Sequence, residues 1–379
     1  MPHVFGRPQR LISVLLLIIL TGLVAVQPAP AGRSPAGLTP DDLLAALDWN
    51  AMRAQAPEGA RWWPSFPQFN AGIGDRGPGL RFYVVRPMAS VDAAGRIADR
   101  IDATVLLYDS PAAAMRDFTG RLLAGNDRGA EMVDGPPVAD RSRYFARTSD
   151  RYSEPVALPN EATVRFVVGP FVARVSVFKG SEHGSEKPEV LALYARVVAA
   201  RARQLLAGGL KATPLPGRLE ALMPPKPAVS AVGSVLGSAV LPPESWALED
   251  TSGDPVKTLA ALKRGGVDTL GFRRYALAAE RNHVLEVTLF VFARPEHAAQ
   301  WQRGFMGDAT ANKWLNPGKT GTLSGFTVKK SGIYELQFAK SQIVGDVFCE
   351  APFGKTASIC ETAVRRLAER WYAALPAAR

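Results

Sequence analysis

An internal repeat is the feature that most constrains how this chain can fold. The segment IDATVLLYDSPAAAMRDFTG, which begins at Ile101, aligns without a gap with LEVTLFVFARPEHAAQWQRG, which begins at Leu285, at an offset of 184 residues. In both segments a strand that becomes apolar on both faces leads into a short helix, with proline at its first position and glycine at its end. The sequence therefore predicts a strand–helix unit that occurs twice.

A second pair of segments supports this duplication. TVRFVVGPFVARVSVF, from Thr163, resembles YELQFAKSQIVGDVFC, from Tyr334, at an offset near 172, and each has the pattern of two strands joined by a tight turn. Each pair is followed by a long predicted helix, over residues 188–206 in the first copy and 358–374 in the second. Chance similarity between two generic blocks is the alternative, but the matching order and punctuation favour duplication.

Each unit also begins with a short helix. Thr39 and Pro40 have the residue types of a helix cap and first helical position in the first copy, as do Asp254 and Pro255 in the second. We therefore predict an α+β fold of two tandem similar domains, each an antiparallel sheet with helices packed on one face and with its own apolar interior.

The 379-residue length suits two domains. We predict the first repeat unit over residues 39–207 and the second over residues 244–376. Residues 208–243 are rich in Pro, Gly and Ala and carry few charges, which predicts a semi-stiff linker.

The N-terminus has the three-part order of a secretory signal. Arg7 and Arg10 precede an apolar run from Leu11 to Val26, and Ala31 follows in the small-residue context that signal peptidases cleave. We predict a signal peptide over residues 1–31, cleavage after Ala31, and an extracytoplasmic location. An uncleaved anchor is the alternative, and membrane contact would then be made through this segment alone.

The formal charge of +10 favours acidic partners such as anionic lipid headgroups, wall polymers or nucleic acid. No signature of a nucleic-acid-binding fold accompanies that charge, so we expect a lipid or cell-wall ligand and no nucleic acid. A basic composition without any binding role is the alternative explanation.

Cys349 and Cys360 are the only cysteines. An even count in an exported chain predicts a disulfide between them. A reactive thiol pair is the alternative, although the C-x-x-C spacing of such pairs is missing.

Catalytic and metal motifs are weak throughout the sequence. The GKT triplets at Gly318 and Gly354 lack the upstream glycine of a phosphate-binding loop, and no histidine has a second ligand at helical spacing. Ser181 and His183 lie in a loop without a third group to orient a base. We therefore predict no catalytic residue, no metal site and no cofactor.

Two stretches are candidate binding surfaces. In DRSRYFARTSDRYSEP, a strand would place Arg141, Arg143 and Arg147 on one face, where they could hold phosphate or sugar-acid groups. A salt-bridged, solvated face is the alternative, because acids flank the stretch.

The second stretch is RWWPSFPQF, which carries Trp62, Trp63 and Phe66. If these rings are exposed, they form a surface on which sugars or lipids stack. If they are buried, they form an aromatic plug that fixes a loop against the sheet, as large apolar residues commonly do.

The segment SQIVGDVFCEAPFGKTASICETAVRRLAERWYAAL resembles the extracytoplasmic sensor-type domain of mycobacterial receptor kinases and of related secreted and lipoprotein modules. The shared features are a strand with a cysteine at its exit, a second cysteine, and a closing amphipathic helix. The resemblance implies an α+β fold with a helix-covered sheet and a groove for a ligand. This chain departs from the family in having one cysteine pair, none in the first unit, and no kinase upstream.

Three functions are consistent with these features. The first is a non-catalytic ligand-binding or sensor-type module for an apolar or anionic envelope ligand. The second is a hydrolase acting on envelope polymers, since glycosidic chemistry needs only two suitably spaced carboxylates. The third is a structural or assembly partner of another envelope protein.

Overall fold

A computed structural model describes most of the chain beyond its N-terminal 32 residues. The described residues are 33–56, 61–71, 78–92, 95–121, 130–148, 160–180, 185–224, 232–249, 254–277, 284–311, 315–316, 319–320, 323–324, 327–328, 333–350 and 357–376. The predicted signal peptide lies outside them, as do Ser181, His183, Gly318 and the whole GKT triplet that begins at Gly354. Lys319 and Thr320 of the other triplet are described and form a short strand.

The first unit consists of four helices and eight strands within these ranges. In chain order they are α1 (Pro40–Ala46), α2 (Trp49–Arg53), β1 (Trp62–Pro64), β2 (Gln68–Ala71), β3 (Leu80–Val91), β4 (Ile97–Tyr108), α3 (Pro111–Arg121), β5 (Glu131–Val133), β6 (Arg141–Thr148), β7 (Asn160–Val168), β8 (Phe171–Lys179) and α4 (Pro188–Leu206). The strands form one antiparallel sheet in the order β1-β3-β4-β8-β7-β6-β5, and β2 also pairs with β3.

The second unit follows a short helical turn, α5 (Gly217–Glu220). Its main elements are β9 (Val232–Leu241), α6 (Pro243–Glu249), α7 (Pro255–Arg264), β10 (Leu270–Leu277), β11 (Val284–Val291), α8 (Pro295–Ala311), β16 (Ile333–Lys340), β17 (Ile343–Glu350) and α9 (Ala357–Ala374). Four two-residue strands precede β16: β12 (Leu315–Asn316), β13 (Lys319–Thr320), β14 (Leu323–Ser324) and β15 (Thr327–Val328). The second sheet has the order β16-β17-β11-β10-β9.

The two units follow the same chain path. Each makes a hairpin, a crossover helix, a second hairpin and a long helix, so the neighbour orders β3-β4-β8-β7 and β10-β11-β17-β16 correspond. The registers agree as well: Ile101 pairs with Val177, and Leu285 pairs with Cys349, which are the positions related by offsets of 184 and 172. The α+β fold with two similar units is confirmed.

The long helix of each unit covers one face of its sheet, as predicted. α4 packs in a cluster with Ala103 and Val105, and α9 packs with Val287 and Leu289. The crossover helix α3 packs against Leu106, on the other face of the first sheet. Leu106 points away from Val105 because successive residues of a strand point to opposite faces. In the first unit the helices are thus divided between the two faces of the sheet: α4 covers one face, and α3 covers only one end of the other.

The predicted linker over residues 208–243 was wrong for its last third. Val232–Leu241 is the edge strand β9 of the second sheet, and Leu236 and Leu241 are buried. Glycine and serine in this strand concealed its alternating pattern in the sequence. The preceding turn is anchored too, because the buried side chain of Arg273 forms an ion pair with Glu220.

Each unit was also predicted to bury a separate interior, and this too was wrong. The largest apolar cluster contains residues of both units, whereas the α9 side of the second sheet and the α3 side of the first sheet have smaller clusters of their own. Phe66 packs against Phe272 at 4.9 Å and Trp246 at 6.0 Å between ring centroids. The backbone N–H of Ser238 donates to the carboxylate of Asp41 at 2.7 Å. The two units therefore form a joint interior.

Cys349 and Cys360 form the predicted disulfide, which links the end of β17 to α9 and is fully buried. Within the described ranges no helix combines the length and apolar character that crossing a bilayer requires.

Gly237→Ala should weaken the joint between the units. A methyl group at this position would overlap the ring of Phe69, which is fully buried. We expect a loss of about 1–3 kcal/mol in the free energy of unfolding, measured by urea denaturation. Gly304→Ala, whose methyl group would meet open space, is the control. A Gly237→Ala protein as stable as the wild type would contradict the close packing described here.

Removal of the disulfide by a Cys349→Ala, Cys360→Ala double substitution should lower the free energy of unfolding by about 3 kcal/mol, because the open loop gains conformational freedom in the unfolded chain. Urea denaturation with and without a reductant measures this loss. The reductant should destabilise the wild type and leave the double variant unchanged; equal stability of the oxidised and reduced wild type would count against the bond.

Candidate functional site

The three arginines predicted to share a face lie on β6. Arg141 and Arg143 are exposed, whereas the side chain of Arg147 falls outside the described part of the structure. Their face is set by strand alternation, which sends the buried ring of Tyr144 to the opposite side. Asp140, one of the acids expected to neutralise this stretch, instead pairs with Arg203 of α4 at 3.6 Å.

Strand register extends this patch across the sheet. Arg143 lies directly opposite Arg165 of β7, and Arg165 lies directly opposite Arg174 of β8. The next residue in the same line is Thr104 of β4, which pairs with Arg174. Residues directly opposite each other in an antiparallel sheet share a face, so these four side chains form one line across four strands. We call Arg143, Arg165 and Arg174 the arginine row.

The arginine row begins where the cover provided by α3 ends. Along β8, Val172 is buried beneath α3, and Arg174 is the next residue on that face. On β4, Leu106 is likewise buried beneath α3, and Thr104 is the next residue on the same face beyond that cover. Phe145 supports the row from β6, with the guanidinium carbon of Arg165 lying 5.9 Å from the centre of its ring. The row thus forms a polar border beside an apolar, helix-covered area.

Two arginines of the row have no carboxylate partner in the described ranges. Asp102, two residues from Thr104 on the same face, is ion-paired with Arg100 at 2.7 Å. Arg143 and Arg174 form no ion pair with any residue in the described ranges, and both side chains are at least partly exposed. Neighbouring strands of a sheet lie about 4.8 Å apart. Guanidinium groups that stand side by side on such strands repel one another unless an anion lies between them.

The hydroxyl of Thr104 has an unmet hydrogen-bonding capacity. The residue is 5% exposed, and its Oγ1 has no hydrogen-bond partner among the described residues. Its neighbours Thr163 and Ser176 differ, because their hydroxyls bond to each other at 2.6 Å. A buried hydroxyl without a partner is uncommon and costs stability.

The second unit has different chemistry at the same positions. Thr288, Asp346 and Gln337 correspond to Thr104, Arg174 and Arg165, and they again lie in one line across the sheet. All three are buried. Burial, together with the adjacent carboxylates of Glu335 and Glu286, raises the pKa of Asp346 well above its ordinary value of 3.8. The two copies therefore keep polar side chains at equivalent positions but differ in charge.

This acidic cluster does not have the geometry of a glycosidase. Such enzymes separate their two carboxyl groups by about 5–9.5 Å to accommodate the sugar or a water molecule. Here the carboxyl groups of Asp346 and Glu335 are hydrogen-bonded to each other, and Asp346 is 2% exposed. A polymer cannot reach this pair.

The aromatic stretch is not an exposed surface. Trp62 and Trp63 are 6% and 8% exposed, and Phe66 is half-buried in the joint between the units. The interpretation as a sugar-stacking or lipid-stacking surface is therefore wrong, because the interior takes up these rings. They act as the plug that the sequence offered as the alternative.

The rest of the described ranges contains no stronger site. No group of three or more His, Cys, Asp or Glu side chains there is placed to hold a metal ion. A cavity of about 260 Å³ lies between Glu220, Met223 and Trp371, but its one carboxylate is ion-paired with Arg273. The arginine row remains the best candidate.

Comparison with known proteins yields similarities to solved structures but not to known sequences. No family model matches the chain, and no curated protein sequence matches it. The extracellular domain of PknH from Mycobacterium tuberculosis resembles 44% of this chain over 97% of its own length, with 11% sequence identity and a TM-score of 0.32. This is the type of domain that the C-terminal segment resembles in sequence.

The buried Asp346 should make stability depend on pH. In the unfolded chain this carboxyl ionises near pH 4. In the folded chain its raised pKa keeps it protonated to a higher pH than that. The folded state therefore loses relative stability as pH rises above about 4, by up to about 1.4 kcal/mol per pH unit until the folded pKa is reached. Asp346→Asn should remove this loss.

Urea denaturation between pH 4 and pH 8 tests this expectation. The stability of Asp346→Asn relative to the wild type should increase with pH, whereas the exposed control Asp268→Asn should follow the wild type. Parallel pH profiles for wild type and Asp346→Asn would show that this carboxyl ionises normally in the folded protein.

Proposed function

We propose that this protein is an exported, non-catalytic binding module that holds an anionic envelope ligand on the arginine row of its first unit. The observation that supports this most strongly is the alignment of three arginines on adjacent strands, two of which, Arg143 and Arg174, form no ion pair with the described residues. Such groups bind carboxylates and phosphates through charge-assisted hydrogen bonds.

The surrounding structure is suited to binding. Thr104, Arg165 and Arg174 stand on the central strands of a sheet whose opposite face is packed against α4. Sites on such strands are held more firmly than sites on loops, so the donors keep their spacing when a ligand arrives. Arg143 extends the same line onto β6, where its side chain is exposed to approaching anions.

An extracytoplasmic location accords with two features. The N-terminal 31 residues have the order of a secretory signal, and the buried disulfide between Cys349 and Cys360 is a bond that persists in oxidising compartments. In that setting the accessible anions are lipid headgroups and wall polymers. The sensor-type role implied by the sequence resemblance agrees with a module that binds such a ligand without altering it.

The hydrolase and the assembly partner remain predictions of the sequence, and no feature of the described structure favours either of them. The carboxylate pair of the second unit is too close and too deeply buried for glycoside hydrolysis.

Loss of the arginine row should abolish most anion binding. We expect the full chain, obtained by export into an oxidising compartment, to sediment with vesicles containing phosphatidylglycerol and to bind an anionic wall polymer at low salt. The triple variant Arg143→Gln, Arg165→Gln, Arg174→Gln should lose at least about tenfold in affinity, because charge-assisted hydrogen bonds are lost. The loss is compared for the vesicles and for the wall polymer, and the one that the wild type binds more tightly is taken as the source of the ligand.

The matched control is Arg196→Gln, Arg218→Gln, Arg264→Gln, which removes the same charge from exposed positions elsewhere. Vesicles of phosphatidylcholine alone give the background, and comparison of the vesicle and polymer arms identifies the source. If both triple variants bind equally weakly, net charge and not the arginine row accounts for the binding, which contradicts the proposal. If the row variant binds as tightly as the wild type, the proposal is refuted.

A further inference from the structure

The line formed by the arginine row and Thr104 points to a more specific ligand, and this inference rests on the function proposed above. We infer that the site binds a phosphate monoester, held by the guanidinium groups of Arg165 and Arg174 and by a hydrogen bond from the hydroxyl of Thr104. The anion would lie over β7, β8 and β4, at the border of the area covered by α3.

Charge is the first argument. Arg165 and Arg174 stand directly opposite each other, and Arg143 adds a third cation on the neighbouring strand. A carboxylate brings one negative charge to this group, whereas a phosphate monoester brings between about 1.5 and 2 at neutral pH. The dianion therefore balances the charges of Arg143 and Arg174, which form no ion pair with the described residues, more completely than a carboxylate does.

Hydrogen-bonding capacity is the second argument. Two guanidinium forks and one hydroxyl offer up to five donors along one line, more than the two oxygens of a carboxylate take up with good geometry. The three terminal oxygens of a phosphate monoester can accept them all. The arrangement also accounts for the buried hydroxyl of Thr104, which has no hydrogen-bond partner in the described ranges.

Arg174 is the neighbour whose movement would open access to that hydroxyl, because it lies directly opposite Thr104 on the adjacent strand. Its side chain is half-buried and forms no ion pair with the described residues, so no salt bridge among them needs to break when it moves. Binding would give a partner both to the hydroxyl of Thr104 and to the guanidinium group of Arg174.

The test uses glycerol 3-phosphate as the probe and isothermal titration calorimetry as the measurement, with succinate as a carboxylate dianion and dimethyl phosphate as a monoanion. Wild-type full chain should prefer glycerol 3-phosphate over both by at least about tenfold. Arg174→Gln should lose at least about tenfold in affinity for it. Vesicles with phosphatidic acid, compared with the soluble probe, show whether the monoester belongs to a lipid.

Thr104→Val separates a ligand-binding role from a structural one. Valine has nearly the shape of threonine without its hydroxyl, so the thermal midpoint should stay equal or rise, while affinity for glycerol 3-phosphate should fall about fivefold or more. Thr104→Ser should restore the affinity. A variant with valine that binds the probe as tightly as the wild type would overturn the assignment.

The two proposals fail in different ways. If the protein binds anionic vesicles or polymers through the row but does not prefer the monoester to succinate, only the phosphate assignment is wrong. If the row variant binds all anions as the wild type does, the proposed function itself is wrong.

Discussion

The antiparallel pairing of β4 with β8 is the constraint on which the rest of the structure depends. It joins two hairpins that are separated in sequence by a helix and the β5–β6 segment, and it brings Thr104 beside Arg174. The pairing also fixes which residues face α4 and which face α3, because a shift of one residue would exchange the two faces. A row of arginines among the apolar residues of α4 would have no counter-charge. The register therefore determines both the core and the candidate site.

Duplication of this pairing left the two units with one architecture and different chemistry. Positions that carry Arg165 and Arg174 in the first unit carry Gln337 and Asp346 in the second, where they are buried. Buried arginines also recur: Arg86 lies opposite Ala103, and Arg273 lies opposite Val287, at equivalent places. Burial lowers the pKa of Arg86 to about 10, against the attraction of Asp48, so it stays charged near neutral pH. The two copies diverged at polar positions while the strand order was kept.

Much of the fold could be predicted from the sequence because its signals are local. Proline marks the first residue of α3 and of α8, and the apolar stretches that begin near Ile101 and Leu285 are long enough to identify central strands. Glycine marks the end of α3 but not that of α8, which continues for seven residues beyond Gly304, so this predicted helix end was wrong. β9 was missed because its glycines and serines resemble a linker, and its stability comes from pairing with β10. The joint interior was missed because Phe66 and Phe69 meet residues almost 200 positions away. For the site, Arg143 was found from strand alternation alone, whereas Arg165 and Arg174 required the hairpin register. Two arginines at polar positions of an apolar hairpin were the available signal.

The joint interior has a consequence for how a bound ligand is displayed. Two domains joined only by a flexible linker would tumble independently of each other. Here the packed rings of Phe66 and Phe272 suppress such independent motion. An anion bound to the first unit, as proposed, would consequently be presented at a constant distance and angle to any partner bound to the second. The second unit, whose own polar line is buried, would then be a rigid attachment surface through which a partner could detect whether the first unit is occupied.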